Sequence, residues 1–140
     1  MNQQNILVLC TGNSCRSQLR HGYLAQELGN RATVYSAGVE THGLNPRAVR
    51  VMAEDGIDIA HHTSNHVDEY AAIPFDLIVT VCDHAREVAP VFPSPAKKRH
   101  HNFPDPAQAT GSEEVILEEF RRVRNQIKAY AQQLVRKAEV

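Results

Sequence analysis

Ile6-Leu7-Val8-Leu9 is an unbroken apolar run, and it ends abruptly at Cys10-Thr11-Gly12-Asn13-Ser14-Cys15-Arg16-Ser17, a stretch made almost entirely of small and polar residues. A strand with one wet face alternates in polarity, whereas a run without polar interruption belongs to a strand covered on both faces, as in a parallel sheet. From Arg16 the spacing changes. Leu19, Tyr23, Leu24 and Leu28 recur at helical intervals, and Gly29-Asn30 supplies a left-handed stop. Within a few residues, then, the chain passes from the carboxyl end of a buried strand to the amino end of a helix. Such a junction favours anions, because unpaired helix N–H groups and the positive end of the helix dipole face the loop.

The remainder alternates in the same way. Ala32 to Ser36 reads as a second strand, closed by Ala37-Gly38. Asn45 caps a helix with Pro46 at its first position and Ala48, Val49, Met52 and Ala53 inward, ending at Gly56. A polar turn at His61 to Asn65 precedes a short helix from Val67 to Ala72, and Asp76 to Val81 is a third strand that delivers Cys82 at its end. A proline-containing segment, Pro90 to Pro95, leads to a fourth strand around Lys98 to Asn102 and then to the loop Phe103-Pro104-Asp105-Pro106. The last helix opens with a capping box, Thr110 to Glu113, and runs to about Lys137, with Ile116, Phe120, Val123, Ile127, Ala131 and Leu134 as its buried stripe. Strands alternating with helices imply an α/β fold: one three-layer domain over residues 1–140, with a four-stranded parallel sheet covered by helices on both faces. Ligand sites in such sheets lie beyond the strands' carboxyl ends, where the strand order reverses. Cys10, Cys82 and Asp105 all fall there.

Composition narrows the function. With 140 residues and a formal net charge of −1, the chain has one adequate core and no basic footprint, which argues against nucleic acid or an anionic membrane as partner. No apolar run reaches the roughly 18 residues of a membrane span, and the first residues lack the layout of a signal peptide, so a cytoplasmic location is expected. Three cysteines, Cys10, Cys15 and Cys82, do not make a secreted disulfide framework. Cys10 and Cys15 have four residues between them and no second pair follows, which is not a zinc pattern. The pairs His61-His62 and His100-His101 read as surface or packing residues, and Arg121, Arg122 and Arg124 as a solvated helix face. Neither a metal nor a cofactor is expected.

The loop's residues suit thiolate chemistry. A free cysteine titrates near pH 8.5, so bringing it to about 5 requires about 5 kcal/mol of differential stabilisation, and a helix terminus supplies at most about 2 kcal/mol. Inward-pointing amides of residues 11–16, the Arg16 charge and a hydroxyl such as Ser17 donating to the sulfur are the candidates for the rest. Gly12 and Asn13 tolerate the positive φ that a tight ring of amides requires. Arg16, with its planar fork, can hold two oxygens of a tetrahedral anion at once.

The Cys-x5-Arg-Ser loop after the first strand, with an Asp-Pro loop near the C-terminus, resembles the low-molecular-weight protein tyrosine phosphatase fold. Within it, Cys-Thr-Gly-Asn-Ser-Cys-Arg-Ser-Gln from Cys10, Tyr35-Ser36-Ala37-Gly38, Glu40-Thr41-His42-Gly43-Leu44-Asn45-Pro46, Val79-Thr80-Val81-Cys82, Phe103-Pro104-Asp105-Pro106-Ala107 and Phe120-Arg121-Arg122-Val123-Arg124 are similar to the thioredoxin-coupled arsenate reductases. Gln18 and Ala107 stand where the phosphatases usually carry proline and tyrosine. The resemblance implies that residues Thr11, Gly12, Asn13, Ser14, Cys15 and Arg16 cradle arsenate and Cys10 attacks it. It also implies that Asp105 protonates the departing oxygen. Cys82 then attacks the Cys10 sulfur, leaving arsenite and a Cys10–Cys82 disulfide. Thioredoxin or another thiol reductant is the implied partner, and a monomer the implied assembly.

Two departures follow. The family's third cysteine, seven residues after the second, is Ala89 here, so the chain cannot pass the disulfide on and is expected to stop after one turnover without another reductant. Ala89 is read either as a natural variant served by an external thiol or redoxin, or as a Cys→Ala replacement that arrests the cycle. In the family, about 10 Å of helix must unwind to close that bridge, since a disulfide needs Cα atoms within about 7 Å. Some members hold a monovalent cation beside Asn13 using carboxylates where this chain has His21 and Asn65, so no potassium stimulation is expected. Cys15 is read as packing beneath the loop or as a protective partner for Cys10. A phosphatase and a non-catalytic oxyanion or redox sensor stand as alternatives to the reductase, argued against by Cys82, Gln18 and Ala107 in the first case and by intact Cys10, Arg16, Ser17 and Asp105 in the second.

Overall fold

The computed structural model of the chain describes residues 4–88 and 96–137. Ala89 and the Pro90–Pro95 segment lie outside the described residues. Strand β1 (Gln4–Cys10) is followed by helix α1 (Arg16–Leu28), strand β2 (Ala32–Gly38), helix α2 (Pro46–Glu54), a 3-10 turn (Val67–Tyr70), strand β3 (Leu77–Thr80), a short helix α3 (Asp83–Val88), strand β4 (Lys97–His100), a second 3-10 turn (Pro106–Gln108) and helix α4 (Glu113–Arg136). The four strands form one sheet in the order β2-β1-β3-β4, every neighbouring pair parallel. This is the parallel α/β architecture expected from the alternation. The central strand earns its uniform apolarity: Ile6, Leu7, Val8 and Leu9 are wholly excluded from solvent.

The chain leaves β1 to one side for β2 and returns to the other side for β3, so the strand order reverses beside β1. Register then decides which side chains meet there. Cys10 pairs with Gly38 and Leu9 with Thr80. Counting on from that pair brings Thr11 level with Cys82. The β3 pairing ends at Thr80, and Cys82 lies two residues beyond it, next to the start of α3.

Local details differ from the sequence reading where tertiary packing overrides pattern. Helix α4 is capped by Ser112, whose side chain accepts from the Val115 N–H, rather than by Thr110; Ser112 is the residue with an extended backbone immediately before the first helical turn. Leu117 lies in the core and Ile116 is half-buried. In α2, Val51 joins Ala48 and Met52 in the core, whereas Val49 is half-buried and Ala53 exposed, because α2 turns its face towards α1 and α4. Arg122 lies on the solvated face as read from the sequence, but two of its neighbours are structural: Arg121 pairs with Glu54 at 2.9 Å, and Arg124 donates to the Val51 carbonyl at 2.9 Å. They tie α4 to the end of α2. Among the described residues no helix is long and apolar enough to cross a membrane.

Candidate active site

Residues 10–15 close into a ring because their carbonyls are all recruited outward. The oxygens of Cys10, Thr11, Gly12 and Ser14 accept the N–H groups of Val39, Glu40, His42 and Asn45, at 3.2, 2.8, 2.9 and 3.1 Å. Asn13 O accepts from Gln18 Nε2 at 3.1 Å. In a trans peptide the N–H points opposite to the C=O of the same unit, so carbonyls turned out leave the amides of residues 11–15 turned in. The helix α1 follows directly, with Cys15 as its N-cap residue and no side chain capping it, so its first amides are also free for an anion.

Only Asn13 uses the left-handed region, at φ 49°. Gly12 does not, and its requirement is steric instead: a Cβ there would lie 2.3 Å from Nδ1 of His42, whose ring covers the loop. Gly38 is likewise demanded by close backbone approach, 2.7 Å from the Thr11 carbonyl oxygen.

Cys10 and Cys82 are both buried and within hydrogen-bonding reach of each other. Their titration is therefore shared. The bond from Cys10 pulls the Cys82 thiol down to about 5, with the Thr11 hydroxyl, 3.2 Å from Cys82 Sγ, the backbone at Ala85 and the Arg16 charge adding to it. The same bond, together with burial, pushes Cys10 up, against the lowering by Arg16 and the Thr11 amide. The two thiols therefore titrate as a pair. Arg16 and the Thr11 amide lower Cys10 in the direction read from the loop's residues, and the contact with Cys82 opposes them. Cys15, also buried, is pushed up to about 12 by burial and by the charge of Asp105.

Ser17 is fully buried, and its hydroxyl accepts from Asn13 Nδ2 at 2.9 Å, which makes it a prop for the loop. Arg16 sits as expected over the loop, donating to the Phe103 carbonyl at 3.0 Å and lying 3.7 Å from Asp105. Asp105 accepts the Ala107 N–H at 3.0 Å, which fixes its loop. A cavity of about 330 Å³ opens above the ring, walled by Cys10, Arg16, Asp105, His42, Ala107 and Gln108 among others. His42 and Gln108 as walls were not foreseen; only the crowding at Gly12, invisible in sequence, singles out His42.

Behind the ring lies a polar network. Asn65 N–H donates to Asn13 Oδ1 at 2.8 Å, and Gln18 Nε2 reaches Thr63 O at 3.0 Å. Gln18 Oε1 meets His62 Nδ1 at 3.0 Å; His62 stacks on His21 at 4.3 Å, and His21 Nδ1 meets Ser36 Oγ at 2.9 Å. Burial, with His62 and His61 nearby, pulls His21 down to about 3, so this network is neutral at physiological pH.

A buried thiol at the floor of an amide ring, with an arginine and a carboxylate above it at the carboxyl end of a central parallel strand, defines a cysteine-dependent oxyanion site on the low-molecular-weight phosphatase fold. The chain belongs to the low molecular weight phosphotyrosine protein phosphatase family, whose model matches residues 5–140. Within that class its relatives are more specific. It is 49% identical to an arsenate reductase of Halalkalibacterium halodurans and 48% identical to one of Bacillus subtilis, each over 91% of both chains. A solved arsenate reductase in the oxidized state superposes with a TM-score of 0.82 at 27% identity, covering 96% of this chain and 98% of that one.

Proposed function

We propose that the chain reduces arsenate to arsenite. The observation that carries this reading is the contact between Cys10 and Cys82, since hydrolysis of a phosphocysteine needs only one thiol. Arsenate enters the cavity with its oxygens towards the ring amides and the Arg16 fork. As Cys10 attacks arsenic its proton passes to Cys82, while Asp105 protonates the departing oxygen, which leaves as water. Cys82 then attacks the Cys10 sulfur and gives that proton up to an oxygen of the departing arsenic. The electron pair of the sulfur–arsenic bond passes to arsenic, which falls from the +5 to the +3 state and leaves as arsenite, and the two thiols become one disulfide. Two electrons leave the protein and two reach arsenic. Every group in this scheme comes from a single chain, which supports a monomer.

The test is to incubate the reduced protein with arsenate without other reductant, map disulfides by mass spectrometry and assay arsenite. A Cys10–Cys82 bridge with one arsenite per chain is expected. Sustained hydrolysis of para-nitrophenyl phosphate without any bridge would favour a phosphatase instead, a reading for which Cys10, Arg16 and Asp105 already suffice.

A further inference from the structure

We propose that the oxidised protein is recharged through its own substrate mouth by a low-molecular-weight monothiol, which attacks Cys10 and expels Cys82. This rests on the reductase reading above. The chain has three cysteines, Cys10, Cys15 and Cys82, and all are buried, at 3%, 4% and 3% exposure. None can present a disulfide at the surface for a protein redoxin to dock on, and the position that would relay one, Ala89, carries no sulfur. The reductant has to come to the bridge.

The cavity above the ring offers it an entrance. The cavity above the ring is lined by Cys10 but not by Cys82. The Cys82 side is tied down instead: Asp83, the next residue, pairs with His100 at 2.7 Å and donates its N–H to Asn102 at 3.1 Å, while His100 Nδ1 lies 2.6 Å from the Thr80 hydroxyl. Displacement at sulfur runs in line, with attacking and leaving atoms on opposite sides of the sulfur attacked. When Cys82 forms the bridge, arsenic departs from Cys10 into the cavity. The reverse of that path is the approach a thiolate needs to break the same bridge.

The balance is simple. The first thiolate bonds to Cys10 and the Cys10–Cys82 bond breaks, its electron pair leaving on Cys82. A second thiolate attacks the small-molecule sulfur of the mixed disulfide, which frees Cys10 as thiolate and releases the oxidised small disulfide. Cys15 also lines the cavity, yet it stays protonated, so it is a poor internal competitor for the mixed disulfide.

The test begins with the wild-type chain oxidised by one equivalent of arsenate and freed of excess. If mapping finds no Cys10–Cys82 bridge, the reductase reading itself fails. With the bridge in hand, limiting glutathione is added, the reaction quenched in acid and free thiols alkylated. Glutathione on Cys10 with alkylated Cys82 is expected; glutathione on Cys82, or no reduction by glutathione, overturns the proposal. In parallel, bridge opening should be at least tenfold faster with glutathione than with thioredoxin at equal concentration, and a faster reaction with thioredoxin overturns it. Ala107 is an exposed wall of the cavity, so Ala107→Trp should fold; it is expected to slow glutathione reduction of the bridge at least tenfold, along with arsenate turnover. An unchanged glutathione rate in that variant would show entry from the Cys82 side and sink the proposal.

Discussion

The front and the rear of the oxyanion ring are built on opposite principles. In front, two thiols titrate as a pair, and Arg16 faces Asp105 at 3.7 Å. Behind, Asn13, Ser17, Gln18, Ser36, His21 and His62 are bonded to one another as neutral dipoles. Burying a charge costs far more than burying a satisfied dipole. The molecule therefore holds the ring in shape with neutral groups and keeps charge for the face where the substrate's own charge arrives. His21 and Asn65 belong to this rear network, His21 through Ser36 and Asn65 through Asn13.

The comparison breaks first at the front. Cys10→Ser should abolish arsenite formation, a loss on the order of 10⁴-fold or more, in a direct arsenite assay. Cys82→Ser should abolish it equally while leaving hydrolysis of para-nitrophenyl phosphate within a few-fold of the parent; arsenite production at the parent's rate would show that the second thiol is not the electron donor. In the parent, bridge formation should fall away as the pH drops through about 5, because the thiol pair then holds a second proton and Cys82 can no longer take one from Cys10. Asp105→Asn should lower kcat about 10²- to 10⁴-fold with little change in KM, since the amide keeps the turn with Ala107 but has no proton to give.

Changes at the rear should act on stability more than on chemistry. Asn13→Ala strands the Ser17 hydroxyl and the Asn65 N–H, and a loss of about 1–3 kcal/mol is expected in urea unfolding. The His21 effect is smaller and pH-dependent. Its folded pKa, about 3, lies below the ordinary 6.5, so as the pH falls below 6.5 the unfolded chain binds a proton that the folded chain refuses. Stability should thus decline on acidification by up to about 1.4 kcal/mol per pH unit, and His21→Gln should flatten that slope between pH 6.5 and 4. The smallest effect expected is that of potassium: replacing sodium by potassium should leave the arsenite rate unchanged, and a clear rise would mean that the His21 network yields to a cation.

Much of the front was legible because its signals are local. The change from an apolar run to helical spacing across Cys10–Arg16 placed the strand, the loop and the helix almost to the residue. The rear was not legible, because Gln18, Ser36, His62 and Asn65 are brought together from α1, β2 and the 61–65 turn, and nothing in their separate neighbourhoods marks them as partners. The cap of α4 was misplaced for a related reason: Thr110 and Ser112 are both good caps, and the backbone chose between them.

By itself, the sequence determined the class of the sheet, the place of Cys10 at the end of the first strand and the absence of a thiol at Ala89, each of them a matter of composition or spacing within a few residues. Tertiary structure alone decided that two sulfurs titrate as a pair. That depends on β1 and β3 pairing in a register that sets Thr11 beside Cys82, so that two thiols 72 residues apart come within reach of each other. An electrostatic quantity of that kind is a property of distances, and the linear chain does not contain them.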